Sequence, residues 1–247
     1  LTGTYITTSL LDPDIFSRRI EEDGSNADGV IVVTREHPAM NRAVRKLEAD
    51  GIPVVCLTTD LPSSRRSFYV GNNQHAAGSV AAQLIGKALP RERDRILLIM
   101  SEPFRCQQER EMGFRRVLRS DFPHLKIEER VVSDDVPDHT FRQLRSYFED
   151  KGLPAAIYNV AGANRGVALA MEEVGESERV IFVGHELTPI SRTLLEEGVM
   201  DYVISHDFAA ELEQAVCCIR EGRHGVVSEP EPSQILIHTR YNCESGT

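Results

Sequence analysis

Short apolar runs rich in β-branched residues alternate with segments whose apolar residues fall three and four apart, and this alternation runs the whole length of the chain. The runs that read as strands are 3–8, 29–33, 53–57, 67–71, 95–100, 126–132, 155–159, 180–183, 202–205 and 235–239. The segments that read as helices are 37–49, 74–88, 106–119, 138–150, 163–174, 188–197 and 207–221. Several strands, such as "GVIVV" and "RILLIM", are apolar throughout rather than alternating. A strand with no polar face must be covered on both sides, which a parallel sheet achieves through its crossover helices. The expectation is therefore an α/β fold built on doubly wound parallel sheet.

At 247 residues there is material for one large domain or two smaller ones. A net charge of −10 argues against a phosphate backbone as a direct partner, because Lys and Arg dominate such contacts. No apolar run approaches the length of a membrane-spanning helix, so no membrane partner is expected. The first residues, "LTGTYITTSLLDPD", lack the basic and apolar regions of a signal peptide. The cysteines (Cys56, Cys106, Cys217, Cys218 and Cys243) are odd in number, scattered and without CxxC spacing. They read as reduced thiols of a cytoplasmic protein rather than a disulfide framework or a zinc site. The stretch "SEPEPS" at 228–233 reads as a short connector.

In open α/β sheets ligands sit beyond the carboxyl ends of the strands, so the residues just after each strand are the candidates. They include Thr34, Glu36, Thr58 to Asp60, Asn72 to His75, Ser101 to Arg105, Asn159, His185, Glu186, His206 and Asp207. Such a mixed set of amides, imidazoles and carboxylates suits a neutral polyhydroxylated ligand.

Motifs for other chemistry fall short. "VAGANRG" at 160–166 is GxxxG without the dinucleotide or Walker pattern; it could hold an anion or simply make a strand-to-helix turn. "HELTP" at 185–189 lacks the second His of a zinc protease, leaving Glu186 as a helix cap or a ligand acceptor. No GxSxG nucleophile elbow occurs, and Asp134-Asp135 lies in turn chemistry. The arginine-rich segment 104–122 reads mostly as a solvated helix face paired to Glu, with Arg110 set apart by its distance from the strand end.

Several segments resemble, in order, the effector-binding domain of the lactose-repressor (LacI/GalR) family of bacterial transcription regulators. "DGVIVV" and "GIPVV" match its early strands. "YVGNNQHAAGSVAAQLIGK" matches V-x-x-D-N-x-x-x-G-x-x-A, and "REMGF" matches R-x-x-G-F. "AAIYNVAGANRGVALAMEEVG" matches the strand, polar turn and helix that follow. "VIFVGHEL", "VISHDFAAELEQAVCCI" and "ILIHTRYN" match the last three segments.

The resemblance implies two α/β lobes of the type I periplasmic-binding-protein kind, joined by crossover strands, with a sugar or sugar-like effector between them. The lobes are expected at 1–91 with 206–224, and at 92–205 with 225–247. Matched by motif, Arg110 is the Arg that forks onto ligand oxygens, Glu186 stands for an Asp, His206 for a Gln, and Asn73, beside Gln74, for the Asp of D-N. Asn159 and Asn164 flank the turn that usually carries N-D, here Val160-Ala161. His185 stands where the family has an aromatic, and packing and ligand contact both fit it. The expected ligand set is Asn73, Gln74, Arg110, Asn159, Asn164, Glu186 and His206, with no cofactor and no catalytic role.

The resemblance further implies a homodimer and operator DNA reached only through a helix-turn-helix head absent from this sequence. The segment before "DGVIVV" is also shorter than in the family by about a strand and a helix. A periplasmic sugar-binding protein of an ABC transporter is the alternative, weighed against by zero Trp and five Cys. An enzyme of doubly wound fold is a third reading, without a nucleophile–base pair to support it.

Overall fold

The computed structural model describes residues 12–101, 104–175, 179–223 and 229–243. The expected strand at 3–8 lies outside them, as does Ser228 at the head of the expected connector. The chain divides into two compact units: residues up to Gly71 with Phe208–Pro232, and Asn72–Asp207 with the residues from Ser233 on.

The described part of the first unit is a parallel sheet of β1 (Val30–Val32), β2 (Val54–Leu57) and β3 (Phe68–Val70), in that order. Alternate residues of these strands enter two cores. Val32, Val54 and Cys56 pack with Met40, Val44 and Leu47 of α2 (Pro38–Ala49) and with Ile20 of α1 (Pro13–Gly24). Val55, Leu57, Phe68 and Val70 pack with Ala215 and Cys218 of α8 (Phe208–Arg223). Helix α1 was missing from the sequence reading, although its start signal is present. Asp12 accepts from the backbone N–H of Asp14 and Ile15, and Pro13 opens the first turn, where a missing N–H costs nothing.

The second unit holds a six-stranded sheet in the order β5-β4-β6-β7-β8-β9. These strands are β4 (Arg95–Met100), β5 (Lys126–Val132), β6 (Ala156–Asn159), β7 (Ile181–His185), β8 (Tyr202–Ser205) and β9 (Leu236–His238). All pairings are parallel except β8–β9, which is antiparallel. On one face Ile96, Leu98, Ala156 and Tyr158 meet α3 (Gln74–Ala88) and α4 (Arg105–Asp121). On the other, Leu97, Ile99 and Ile157 meet α5 (Pro137–Lys151), α6 (Asn164–Val174) and α7 (Pro189–Glu196). The uniformly apolar strands are thus covered on both faces, which is the doubly wound α/β architecture.

Helix α3 belongs to the second unit, not to the N-terminal lobe to which the sequence reading assigned residues up to 91. Two glycines fix it there. A Cβ at Gly78 would stand 1.8 Å from the backbone O of Arg110, and one at Gly113 would stand 1.9 Å from that of His75. Each helix offers the other a position without a side chain, and the two backbones close to contact. Elsewhere helices start where the sequence supplies caps. Asn73 caps α3, Thr188 caps α7, and His37 caps α2 through Nδ1 with Pro38 at its first position.

Candidate functional site

The residues that follow β4, β6, β7 and β8 meet at one edge of the second unit's sheet. Four of the seven expected side chains are hydrogen-bonded together there. Arg110, near the start of α4, is buried; its Nε donates to Gln74 Oε1 at 2.7 Å, and Nη2 donates to Glu186 Oε1 at 3.0 Å. His206 Nε2 lies 3.1 Å from Glu186 Oε2. Side-chain exposure separates the members: 4% for Arg110 and 2% for His206, but 41% for Glu186. The carboxylate is the part of the cluster that faces solvent.

The close α3–α4 approach makes this possible, because it brings Gln74, in the first turn of α3, within reach of a guanidinium on the neighbouring helix. Asn73 sets the start of that turn, its Oδ1 accepting from the N–H of Ala76 at 2.9 Å. Gln107, one turn before Arg110, ties α4 to the end of β4. Its Oε1 accepts from Ser101 N–H at 2.9 Å, and its Nε2 donates to Ser101 Oγ at 2.8 Å. Gln107 escaped the sequence reading, which weighed the residues following strands and the R-x-x-G-F motif but not the turn of α4 between them.

Glu186 leaves β7 with φ 65°, the left-handed region that disfavours a side chain. Its N–H still continues the ladder, donating to Ile204 O at 3.0 Å. Its carbonyl accepts from Thr188 N–H at 2.9 Å and from Ser191 Oγ at 2.7 Å. Thr188 and Ser191 form a capping box at the start of α7. The helix therefore has its cap, and the side chain of Glu186 is turned to Arg110 and His206 instead. Burial opposes the charge of this carboxylate, but the His206 hydrogen bond and the Arg110 guanidinium override it and hold its pKa at about 2. Burial likewise opposes the charge on Arg110, and Glu186 more than compensates, so that pKa is raised.

His185 settles into packing. It is 3% exposed, its ring stacks at a tilt on Tyr158, and its Nε2 lies 2.8 Å from the Tyr158 hydroxyl. Burial first, and Arg110 second, push its pKa well below the usual imidazole value, so the ring stays neutral. Phe114 also packs on Tyr158, ring centres 4.4 Å apart.

Asn159 and Asn164 form a pair of their own. Asn159 Nδ2 donates to Asn164 Oδ1 at 2.7 Å and to Gly162 O at 2.8 Å, while its Oδ1 accepts from Ala161 N–H at 3.1 Å. They hold the "VAGA" turn, in which Ala163 has φ 56° and Gly162 N–H donates to Asp135 Oδ1 at 2.7 Å. Among the described residues no group of His, Cys, Asp and Glu is placed to hold a metal ion, and no helix is long and apolar enough to cross a membrane.

An α/β unit with a buried Arg and an exposed carboxylate at the carboxyl end of its strands is the frame of a small-molecule binding protein. The chain belongs to the periplasmic binding protein domain family, whose model matches residues 20–218. Solved structures share the fold. An ABC-transporter solute-binding protein of Burkholderia graminis, in complex with D-arabinose, superposes with a TM-score of 0.86 at 21% identity, covering 95% of this chain and 83% of that one. A solute-binding protein of Bacillus halodurans with bound myo-inositol gives 0.83 at 19% identity, covering 95% and 83%. GanP, a glucose-galactose binding protein of Geobacillus stearothermophilus, gives 0.82 at 20% identity, covering 91% and 81%. No curated protein matches the chain significantly. The neighbours named here are solute- and sugar-binding proteins, not regulators.

Proposed function

We propose that this chain is a binding protein for a neutral sugar or polyol of the ABC-transporter solute-binding kind, and that Gln74, Arg110, Glu186 and His206 contact the ligand hydroxyls. The observation that carries the reading is the divided guanidinium of Arg110. One edge goes to a neutral amide and another to a carboxylate that remains 41% exposed. An ionised acceptor, held rigid at 3.0 Å by Arg110 and 3.1 Å by His206, can take two adjacent hydroxyl donors without first paying to be oriented. Its negative charge favours hydroxyls over sugar acids or phosphates. The ligands named for the neighbours, D-arabinose, myo-inositol, glucose and galactose, are of that neutral class. Asn73, Asn159 and Asn164 act on the ligand indirectly in this reading, by setting the α3 start and the turn after β6. No reaction is proposed: the ligand is held and released unchanged.

The sensing domain of a regulator is the second reading. The observations favouring it are the ordered motifs at 69–87 and 110–114 and the five cysteines, none in a disulfide, which suit a cytoplasmic protein. Both readings share the ligand site and differ in what the ligand-bound protein meets next.

A thermal-shift screen against neutral sugars, polyols, sugar acids and sugar phosphates tests the site. Stabilisation by a neutral pentose, hexose or inositol, lost in Glu186→Gln, is the expected result. Stabilisation only by acids or phosphates would overturn it.

A further inference from the structure

We propose that the buried His185–Tyr158 pair is a positioning element: it fixes the end of β7 against α4 and so holds the Glu186 carboxylate on Arg110. Its effect on affinity rests on the reading that Arg110 and Glu186 contact the ligand. His185 and Tyr158 lie too deep to touch a ligand themselves, at 3% and 0% exposure.

Neighbouring residues of an extended strand point to opposite faces of the sheet. His185 and Glu186 depart from that rule. The His185 ring reaches Tyr158, which lies in the core beneath α3 and α4. The Glu186 carboxylate returns to Arg110 of α4, turned to that side by the left-handed φ of 65°. Such a backbone persists only where its surroundings over-determine it. After the turn, Thr188 and Ser191 hold the Glu186 carbonyl. Before the turn, the anchoring side chain is His185, its Nε2 2.8 Å from the Tyr158 hydroxyl.

Tyr158 carries the anchor across to α4. Its ring centre lies 4.4 Å from that of Phe114. Phe114 stands four residues after Arg110, one turn along the same face of the helix. One phenol thus joins the strand that supplies the carboxylate to the helix that supplies the guanidinium. An aromatic pair without polar atoms would fill the space at no desolvation cost, but it would lack direction. The hydrogen bond fixes the rotation of the imidazole, and with it the residue from which Glu186 turns. Both partners stay neutral, since burial raises the Tyr158 phenol and lowers the His185 ring, so neither competes with Arg110 for the carboxylate.

Tyr158→Phe and His185→Phe each leave one buried polar group without its partner, whereas the combined Y158F/H185F chain leaves none. The melting temperature should therefore fall in each single variant and recover in the combined one. Affinity for D-arabinose, D-glucose or myo-inositol, read by calorimetric titration, should fall about tenfold in all three, because none retains the bond. His185→Gln, whose amide can still bond the phenol, should keep its affinity. A second readout needs no ligand. By carbon-13 NMR at about pH 4, below the ordinary carboxyl value of 4.5, Glu186 should be ionised in the wild type and in His185→Gln, and partly protonated in the other three. If the wild type bound none of these sugars and the ionisation pattern appeared, the ligand reading would fall and the positioning would stand. An affinity that recovers with the melting temperature in the combined variant would overturn the proposal, as would a Glu186 that stays ionised in every variant. A His185→Gln chain that behaves like His185→Phe would overturn it equally.

Discussion

The two units each hold an arginine withdrawn from solvent, and they use it in opposite ways. In the first, Arg66 gives its fork to one carboxylate, Nε to Asp60 Oδ1 at 2.7 Å and Nη2 to Asp60 Oδ2 at 3.0 Å. Nη1 reaches Glu229, also at 3.0 Å, and the guanidinium lies 5.9 Å from the ring centre of Tyr69. Asp60 is only 19% exposed and its remaining capacity takes the N–H of Leu61. In the second unit, Arg110 divides its donors between an amide and a carboxylate, and that carboxylate stays open to solvent. A closed fork stabilises a fold. A divided fork, with its acceptor exposed, holds capacity for something that is not part of the chain.

That contrast fails or strengthens on four changes, taken from the largest effect down. Arg110→Ala removes the buried partner of Glu186 and leaves Gln74 without its donor. It should abolish sugar binding and cost less stability than the ~3–5 kcal/mol of a fully buried pair, because Glu186 stays 41% exposed. Chemical denaturation and calorimetry read both, and a variant that still bound sugar at wild-type affinity would end the site assignment. Gly113→Ala comes next. Its methyl meets a backbone carbonyl that cannot rotate away, so α3 and α4 must separate. Stability should fall by about 2–3 kcal/mol, and binding should weaken with it because Gln74 is drawn from Arg110.

Glu186→Gln keeps the shape and removes the charge. Ligand affinity should fall by about 1.5–3 kcal/mol in calorimetric titration, and the neutral-pH melting temperature should fall as well, because the charge paired to Arg110 is lost. Its acid limb is the sharper readout. The folded carboxylate titrates at about 2, against an ordinary 4.5. A depressed carboxylate pKa means the charged form is favoured in the fold, so its stabilisation is complete above pH 4.5 and is lost as pH falls from 4.5 through about 2. The Gln variant should lose the pH dependence due to this group; an unchanged acid-unfolding curve would show that Glu186 is not held as described. Smallest is Arg66→Lys, which breaks the two-point contact with Asp60. About 1.5 kcal/mol of stability should be lost in urea unfolding, with sugar affinity untouched. If affinity drops as well, the closed fork is not merely structural.

Much of the fold was legible locally. Helix α3 falls at 74–88, as read, and α2, α4 and α5 differ from their expected spans by a residue or two. Apolar spacing at three and four is a property of the segment itself, so it survives without knowledge of neighbours. Helix α1 was missed because its apolar stripe is thin, with Ile20 its one buried aliphatic residue, though Asp12-Pro13 marked its start. The motif matches drew Arg110, Glu186, Gln74 and His206 into one set, and the structure joins these four. The same matches gave no sign that Asn159 and Asn164 would bond to each other rather than stand open, because amides at a turn look alike in sequence whichever way they face.

The sequence by itself determined the alternation of strand and helix, the two-sided burial of the strands, and the caps at Asp12, Asn73 and Thr188. Each depends on residues within a few positions of one another. Tertiary structure alone decided that α3 joins the second unit, that Gln74 and Glu186 share one guanidinium across separations of 36 and 76 residues, and that the carboxylate of Glu186 remains exposed after both contacts are made. The placement of α3 and the Gln74 contact rest on how closely two helices approach at Gly78 and Gly113, a distance set by packing between segments that no local pattern records.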